Sequence, residues 1–512
     1  MALAKLQTYT LVGIDAVPVE AEVDVAETGL PAVMLVGLPD STVKESQHRV
    51  ERAIVNCGYR KPSSRVVVNL APADLRKDAA WFDLPIALGL LAATGQMPTD
   101  VFGDAAFVGE LALEGTTRPI KGALAIALAA RAQGLKRLVL PAANAREAAV
   151  VEGLDVHPVA SLAEAVGFLT AAVEIEPVRV DLERLFDVSP GVGVDFADVK
   201  GQDAAKRALV IAAAGRHNVL MIGSPGTGKT MLAKRLPTIL PPLVLEEALE
   251  TTRVFSAVGQ TSAERPLQTV RPFRSPHHTS SEAGLIGGGA HPEPGEVSLA
   301  HHGVLFLDEF PEFARRTLEV LRQPLEDGRV IITRARGKVA FPADFLLIAA
   351  MNPCPCGYLT DPKRECRCTP IQVERYLSRI SGPLLDRIDI HIEVPAVRWE
   401  ELRGKQLGTD SATLRAQVLQ ARERQRVRYG ADSLTVNGRL TSRQIREHCP
   451  LNKSAETLLK QAVEELGLSI RAHDRVLRVA RTIADLAGCD EIETPHLAEA
   501  IQLRRLDRKI WR

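Results

Sequence analysis

The chain has 512 residues, 46% of them hydrophobic, and its 63 Lys plus Arg are matched by 63 Asp plus Glu. That length exceeds one hydrophobic core and predicts roughly three domains, while zero net charge excludes a global basic field, so any nucleic-acid contact must come from local patches. No basic leader followed by an apolar stretch opens the sequence and no apolar run of about 18 residues occurs, so a cytoplasmic protein without membrane partners is expected.

Strands are predicted at 21–25, 32–36 and 64–70, with a helix over 43–57 between the last two. Apolar helices follow over 84–94 and 121–132, then a short strand over 137–140 closed by Pro141. Residues 1–172 thus form a first α/β domain, and 173–198, which mix acidic residues with Pro and Gly, form a linker. A helix over 201–214 precedes an apolar strand at 219–222, and further strands are expected at 304–308, 345–350 and 388–394, so 199–398 reads as a parallel sheet covered by helices. From 399 to 512 the pattern becomes all-helical, with charged amphipathic stretches at 411–428, 454–466, 472–487 and 494–503.

Directly after the strand at 219–222 stands Gly223-Ser224-Pro225-Gly226-Thr227-Gly228-Lys229-Thr230, followed by a helix-compatible stretch. Strand, glycine-rich loop and helix are what a phosphate site requires: the glycines let backbone N–H groups converge on phosphates, Lys229 adds a point charge, and the Thr230 hydroxyl can complete a Mg²⁺ shell. The run Gly303-Val304-Leu305-Phe306-Leu307 ends in Asp308 and Glu309, where the first carboxylate can hold Mg²⁺ and the second can polarise water for attack on the γ-phosphate of ATP. A bare Asp-Glu pair is usually a solvated strand end; behind a phosphate loop it predicts hydrolysis. Asn352 closes the strand at 345–350, either as a strand cap or as the amide that orients the attacking water. Arg387 precedes the strand at 388–394, either in a salt bridge with Asp386 or Asp389 or reaching a neighbouring subunit's phosphates.

Cys354-Pro355-Cys356 and Cys366-Arg367-Cys368 hold four of the seven cysteines, and an odd, crowded set fits poorly with a secreted disulfide framework. Four thiolates suit structural Zn²⁺, although the spacing is tighter than the usual pairs and buried or redox-active thiols remain open. Five histidines at 277, 278, 291, 301 and 302 lack a fixed ligand spacing. In the hairpin-like stretch 330–339, Arg334, Arg336 and Lys338 alternate, which predicts one shared face for a phosphate backbone, or else an edge strand protected by charge.

Together these residues resemble AAA+ ATPases, and Arg271-Pro272-Phe273-Arg274-Ser275-Pro276-His277-His278, Gly284 to Gly289, Pro294-Gly295-Glu296 and Leu299 to Gly303 resemble the magnesium-chelatase-like branch. The resemblance implies a P-loop core of the ASCE type, Asn352 as sensor 1, Arg387 as arginine finger, Arg471 in Ser469-Ile470-Arg471-Ala472 as sensor 2 on an all-helical lid, and a ring, usually of six. In the first domain Gly109 to Gly115, Pro119-Ile120-Lys121-Gly122 and Leu138 to Pro141 resemble the Lon-protease-like, ribosomal-S5-like α+β fold. Aligned so, the catalytic Ser of that family falls at about Trp81 and its Lys at about Ile126, neither of which is a nucleophile or base, so no proteolysis is expected. Over the whole chain the order of domains is similar to the ComM/YifB competence-associated family. That similarity implies a DNA branch-migration motor that extends recombination of incoming single-stranded DNA in natural transformation, with recombination proteins as partners; the alternative is a chelatase-like ATPase that remodels a protein.

Overall fold

The computed structural model describes all residues except 1–2, 27–31, 78, 188–192, 290–291, 335–336, 362–363, 398–407, 431–432, 467–468 and 505–512. It divides into two compact units, one of Met1–Val188 with Leu245–Thr269, the other of Ser189–Val244 with Val270–Arg512.

The first unit is built on a seven-stranded sheet in the spatial order Ala32–Val36, Arg65–Ala71, Asp15–Val25, Ala4–Val12, Ala105–Phe107, Arg137–Pro141, Asp155–Val159. Asp15–Val25 runs antiparallel to both its neighbours and the remaining pairs are parallel. Period-two alternation sends Val139 to one apolar face with the buried helix Asp83–Ala93, and Leu138 and Leu140 to the other with the helix Ala123–Ala132. Trp81 is half-buried, its indole N–H donating to the Tyr9 carbonyl at 2.8 Å, and Ile126 lies wholly in the core.

Leu245–Thr269 lies inside the stretch expected for the ATPase module yet belongs to this unit. Its helix Leu245–Ala257 packs beside Ala123–Ala132, the Gly122 amide donates to the Ser256 carbonyl at 3.0 Å, and buried Glu147 accepts from the Leu124 amide at 3.0 Å, the Thr261 hydroxyl at 2.6 Å and the Ser256 hydroxyl. A buried carboxylate needs such donors, and two of these three come from the inserted segment.

The second unit contains a five-stranded, all-parallel sheet in the order Phe273–Arg274, Val304–Leu307, Leu346–Met351, Val219–Ile222, Ile390–Glu393. A strand therefore intervenes between the one that feeds the phosphate loop and the one that ends in Asp308, the ASCE arrangement that was expected. The predicted helices appear at Asp203–Gly215, Ser411–Tyr429, Lys453–Leu466, Ile470–Ala487 and Thr494–Gln502. Ser411–Tyr429 and Ile470–Ala487 pack on Asp203–Gly215, and one apolar cluster runs from Val219 and Ile348 of the sheet through Val418 to Val476 and Ile483. The C-terminal helices thus share the core of the ATPase sheet.

Candidate nucleotide site

Parallel strands deliver their C-terminal ends to one edge of a sheet, and ligands of open α/β folds bind there. Register places Ile222 beside Met351 and Leu307 beside Ala349, so the residues that follow, Gly223, Asn352 and Asp308, emerge at that edge together. Gly226 and Gly228 have φ of 79° and 92°, the left-handed region a side chain avoids, so the loop can turn its amides inward. Gly223 is required for a different reason: a Cβ there would collide with the Val394 carbonyl.

Lys229 opens the helix Lys229–Arg235 and is buried in the loop, its ammonium donating to the Gly223 carbonyl at 2.6 Å, the Ser224 carbonyl at 3.0 Å and the Asn352 side-chain oxygen at 3.3 Å. Burial lowers its pKa, the Asp308 carboxylate opposing. An ammonium held by carbonyl oxygens at the mouth of the loop stands ready to exchange them for phosphate oxygens. The Thr230 hydroxyl donates to Asp308 Oδ2 at 2.7 Å, which gathers the two expected Mg²⁺ ligands from separate elements. Glu309 adopts a left-handed φ of 52°, a strained conformation for a side-chain-bearing residue, and its amide donates to Asp308 Oδ1 at 3.0 Å. Its carboxylate is exposed and lies 3.2 Å from His278 Nδ1. These residues fit ATP with Mg²⁺ in donor type and position.

Arg387 lies elsewhere. The Asn218 side-chain amide donates to the Arg387 carbonyl at 3.0 Å, and Asn218 immediately precedes the strand Val219–Ile222, so Arg387 sits at the opposite edge of the sheet from Gly223. Four residues of strand span about 13 Å. Its guanidinium bonds to the Pro383 carbonyl at 2.7 Å and to Glu326, while Nε is buried without a hydrogen-bond partner among the described residues. The salt bridge is therefore to Glu326, which stands in no recognisable motif, rather than to Asp386 or Asp389. Exposed Arg471 lies on the helix Ile470–Ala487 at this same edge: Arg475, one turn on, has Nε 3.4 Å from Asp389 Oδ1, and both arginines hold the Glu326 carboxyl below its usual range after the larger effect of the Arg387 bond. Arg387 and Arg471 are thus brought together with each other and apart from Lys229.

Among residues the motifs did not flag, Gln202, at a left-handed φ of 61°, donates to the Thr227 carbonyl at 3.3 Å and the Pro395 carbonyl at 2.6 Å, fastening the base of the loop. Arg274, singled out within its motif, holds Glu296 in a bidentate pair at 2.6 and 2.7 Å, a structural role.

The hairpin forms, with strands Arg329–Arg334 and Gly337–Pro342. Lys338 pairs with Thr333, and residues directly opposite share a face, so Lys338 stands in the exposed row with Ile331 and Thr333, on the face opposite buried Val330 and Ile332. Of the three residues expected to share a face, Arg336 and the side chain of Arg334 lie outside the described residues, as does His291.

The four cysteines converge. Cys354 Sγ lies 3.4 Å from Cys356 Sγ and 3.7 Å from Cys366 Sγ, Cys356 and Cys366 are 3.6 Å apart, and the Cys356 amide points at Cys368 Sγ at 3.4 Å. Burial pushes the Cys354 thiol up to about 12, whereas backbone amides of Tyr358 and Arg367 pull Cys356 down to about 6. No helix among the described residues is long and apolar enough to cross a membrane.

Comparison with known proteins agrees with this geometry. Residues 195–402 match the family described as magnesium chelatase, subunit ChlI, residues 21–144 match a second model for that subunit, and residues 408–504 match its C-terminal part. YifB of Salmonella typhimurium is 44% identical over 510 residues, covering 99% of this chain and 98% of that protein. Competence protein ComM of Haemophilus influenzae is 45% identical over 511 residues, again 99% and 98%. The magnesium-chelatase 38 kDa subunit of Cereibacter sphaeroides is 26% identical over 325 residues, 59% of this chain and 88% of that one. The chain belongs to the ComM/YifB family of magnesium-chelatase-like AAA+ ATPases.

Proposed function

We propose that this protein is an ATP-hydrolysing ring motor, of six subunits, that acts on DNA as a branch-migration helicase and promotes recombination of incoming single-stranded DNA in natural transformation. The observation that supports the ring is that Arg387 lies at the sheet edge opposite Lys229, away from its own chain's phosphate loop, so that a phosphate role for it would be toward a neighbour. DNA as substrate is supported by the Haemophilus influenzae relative, named a competence protein, and by the exposed row of the hairpin that ends in Lys338.

In this reading Lys229 and the loop amides hold the β- and γ-phosphates, Thr230 and Asp308 hold Mg²⁺, and Glu309 with Asn352 positions the attacking water. Bound Mg²⁺ would supply positive charge to the phosphate oxygens. Arg387 of the adjoining subunit completes charge stabilisation, with Arg471 beside it at the same interface. The first unit, Lon-like and S5-like by resemblance, takes no part in peptide cleavage in this reading, since the nucleophile and base positions of that family fall at about Trp81 and Ile126.

The test is the ATPase rate of purified protein with and without single-stranded and branched DNA, together with ATP-dependent movement of a branched substrate. Branched DNA should stimulate hydrolysis several-fold, and Lys229→Ala and Glu309→Gln should each lower the rate by a factor of about 10² to 10³. Hydrolysis that ignores DNA but responds to a protein partner would replace this reading with the remodelling one.

A further inference from the structure

The four cysteines lie directly behind the phosphate loop. The chain leaves the strand Leu346–Met351 at Asn352, which holds Lys229, and reaches Cys354 two residues later. Gly357, with φ of +85°, turns the backbone so close to the loop that a Cβ there would lie 2.5 Å from Pro225 Cδ and 2.7 Å from its Cγ. Beyond Cys368, Thr369 caps the helix Pro370–Leu377, whose Tyr376 returns to hydrogen-bond the Asn352 backbone. The segment therefore begins and ends on the residue that contacts Lys229, and its first turn rests on Pro225.

All four sulfurs lie within 4.8 Å of one another. Four thiolates about 2.3 Å from one tetrahedral ion are separated by ~3.8 Å, close to the distances seen, and the enclosed space suits a single ion. Backbone amides of Gly357 and Leu359 are directed at Cys354, of Tyr358 and Arg367 at Cys356, and of Cys356 at Cys368, the outer hydrogen bonds that thiolate sites use to orient sulfur.

We propose that Cys354, Cys356, Cys366 and Cys368 bind one Zn²⁺, and that the bound ion braces the phosphate loop through Gly357 on Pro225, so that nucleotide affinity depends on zinc. Ligation closes the segment between Cys356 and Cys366, and the ordering of that segment, otherwise opposed by chain entropy, becomes part of the metal's binding free energy. The role of the brace rests on the ATP-site assignment above; the metal does not.

Full-length protein purified without chelator should contain about one zinc per chain by elemental analysis, with no iron, and Cys366→Ser/Cys368→Ser should contain none. Stripping zinc should weaken binding of a fluorescent ATP analogue by about tenfold, and re-addition should restore it. Gly357→Ala keeps all four thiols and should retain zinc, yet should weaken nucleotide binding comparably because its methyl meets Pro225. If the double Ser variant does not fold, the stripped protein and Gly357→Ala decide. Lys229→Ala should lose nucleotide and keep zinc, and a wild-type protein that holds zinc but binds no nucleotide would overturn the ATP assignment alone. Absence of zinc, iron in its place, or unchanged nucleotide affinity in the stripped protein would overturn the proposal, and unchanged affinity in Gly357→Ala would overturn the contact with Pro225 as the route.

Discussion

Asp389 is buried within the ATPase unit, where it accepts from the Asn218 amide at 3.0 Å and faces Arg475 Nε at 3.4 Å and His217 Nδ1 at 3.8 Å. Burial alone would raise its pKa, but the neighbouring His217 and the Arg475 charge hold it well below the usual carboxylate range. Burial pushes His217 downward, with Asp389 opposing, and its Nε2 is engaged by the Thr482 hydroxyl at 2.7 Å. In the unfolded chain His takes a proton near pH ~6.5 and Asp near ~3.9, whereas the folded pair resists both. The unfolded state therefore binds more protons in acid, and stability falls as pH drops from about 6.5 to below about 4. His217→Asn removes the upper part of that titration. It should be less stable than wild type at neutral pH, with a flatter dependence of urea midpoint on pH between about 7 and 5. Parallel slopes for variant and wild type would show that the pair is not the source.

At the scale of elements, the helix Ile470–Ala487 is fixed by a polar network under its C-terminal half. Asp485, with no side-chain exposure, accepts from Arg428 at 3.0 and 2.5 Å, from the Asn437 amide at 2.8 Å, and lies 3.1 Å from Arg481. Asp485→Ala leaves two enclosed guanidinium groups without their counter-ion and should cost about 3–5 kcal/mol by chemical denaturation, against a fraction of that for a surface pair. A loss below about 1 kcal/mol would mean that water reaches the network.

This helix was legible in the sequence because its apolar positions recur with the helical period. The buried strands Val219–Ile222, Val304–Leu307 and Leu346–Met351 were legible as uninterrupted apolar runs between turn signals, whereas the short strands Ala105–Phe107 and Asp155–Val159 were not foreseen. The strand Ala4–Val12 was not foreseen, and the strand Asp15–Val25 only from Ala21. Pro18, an interior residue of the second strand, argues against a ladder; yet it pairs only with Tyr9, and pairing with Arg65–Ala71 begins at Glu20, so one side of Pro18 needs no hydrogen bond. The allegiance of Leu245–Thr269 was hidden because an amphipathic helix carries the same pattern whichever core it joins, and Glu147, which receives it, is remote in sequence. Lys229, Thr230, Asp308 and Asn352 were legible because phosphate chemistry demands those residue types after those strands. Glu326 was illegible, being one Glu in a helix with nothing nearby to mark it.

At the scale of the molecule, the separation of Lys229 from Arg387 means that, in the proposed ring, each chain would contribute to two different sites. If Arg387 acts across a subunit boundary, defects in the two residues must complement each other when subunits mix. Arg387→Ala alone retains its phosphate loop but offers no guanidinium to its neighbour, and Lys229→Ala alone does the reverse, so homogeneous rings of either should be nearly inactive. In a ring assembled from equal amounts of both, an Arg387→Ala subunit followed by a Lys229→Ala subunit forms one interface with both groups intact. Random assembly makes about a quarter of the interfaces complete, so the mixture should recover ATPase activity that neither variant shows, up to about a quarter of the wild-type rate per site. Action within one chain predicts no recovery at any ratio, because no subunit then carries both groups. Glu326→Gln provides the contrast: it releases Arg387 from its resting ion pair without removing the guanidinium, so it should remain active alone and should not need a partner variant.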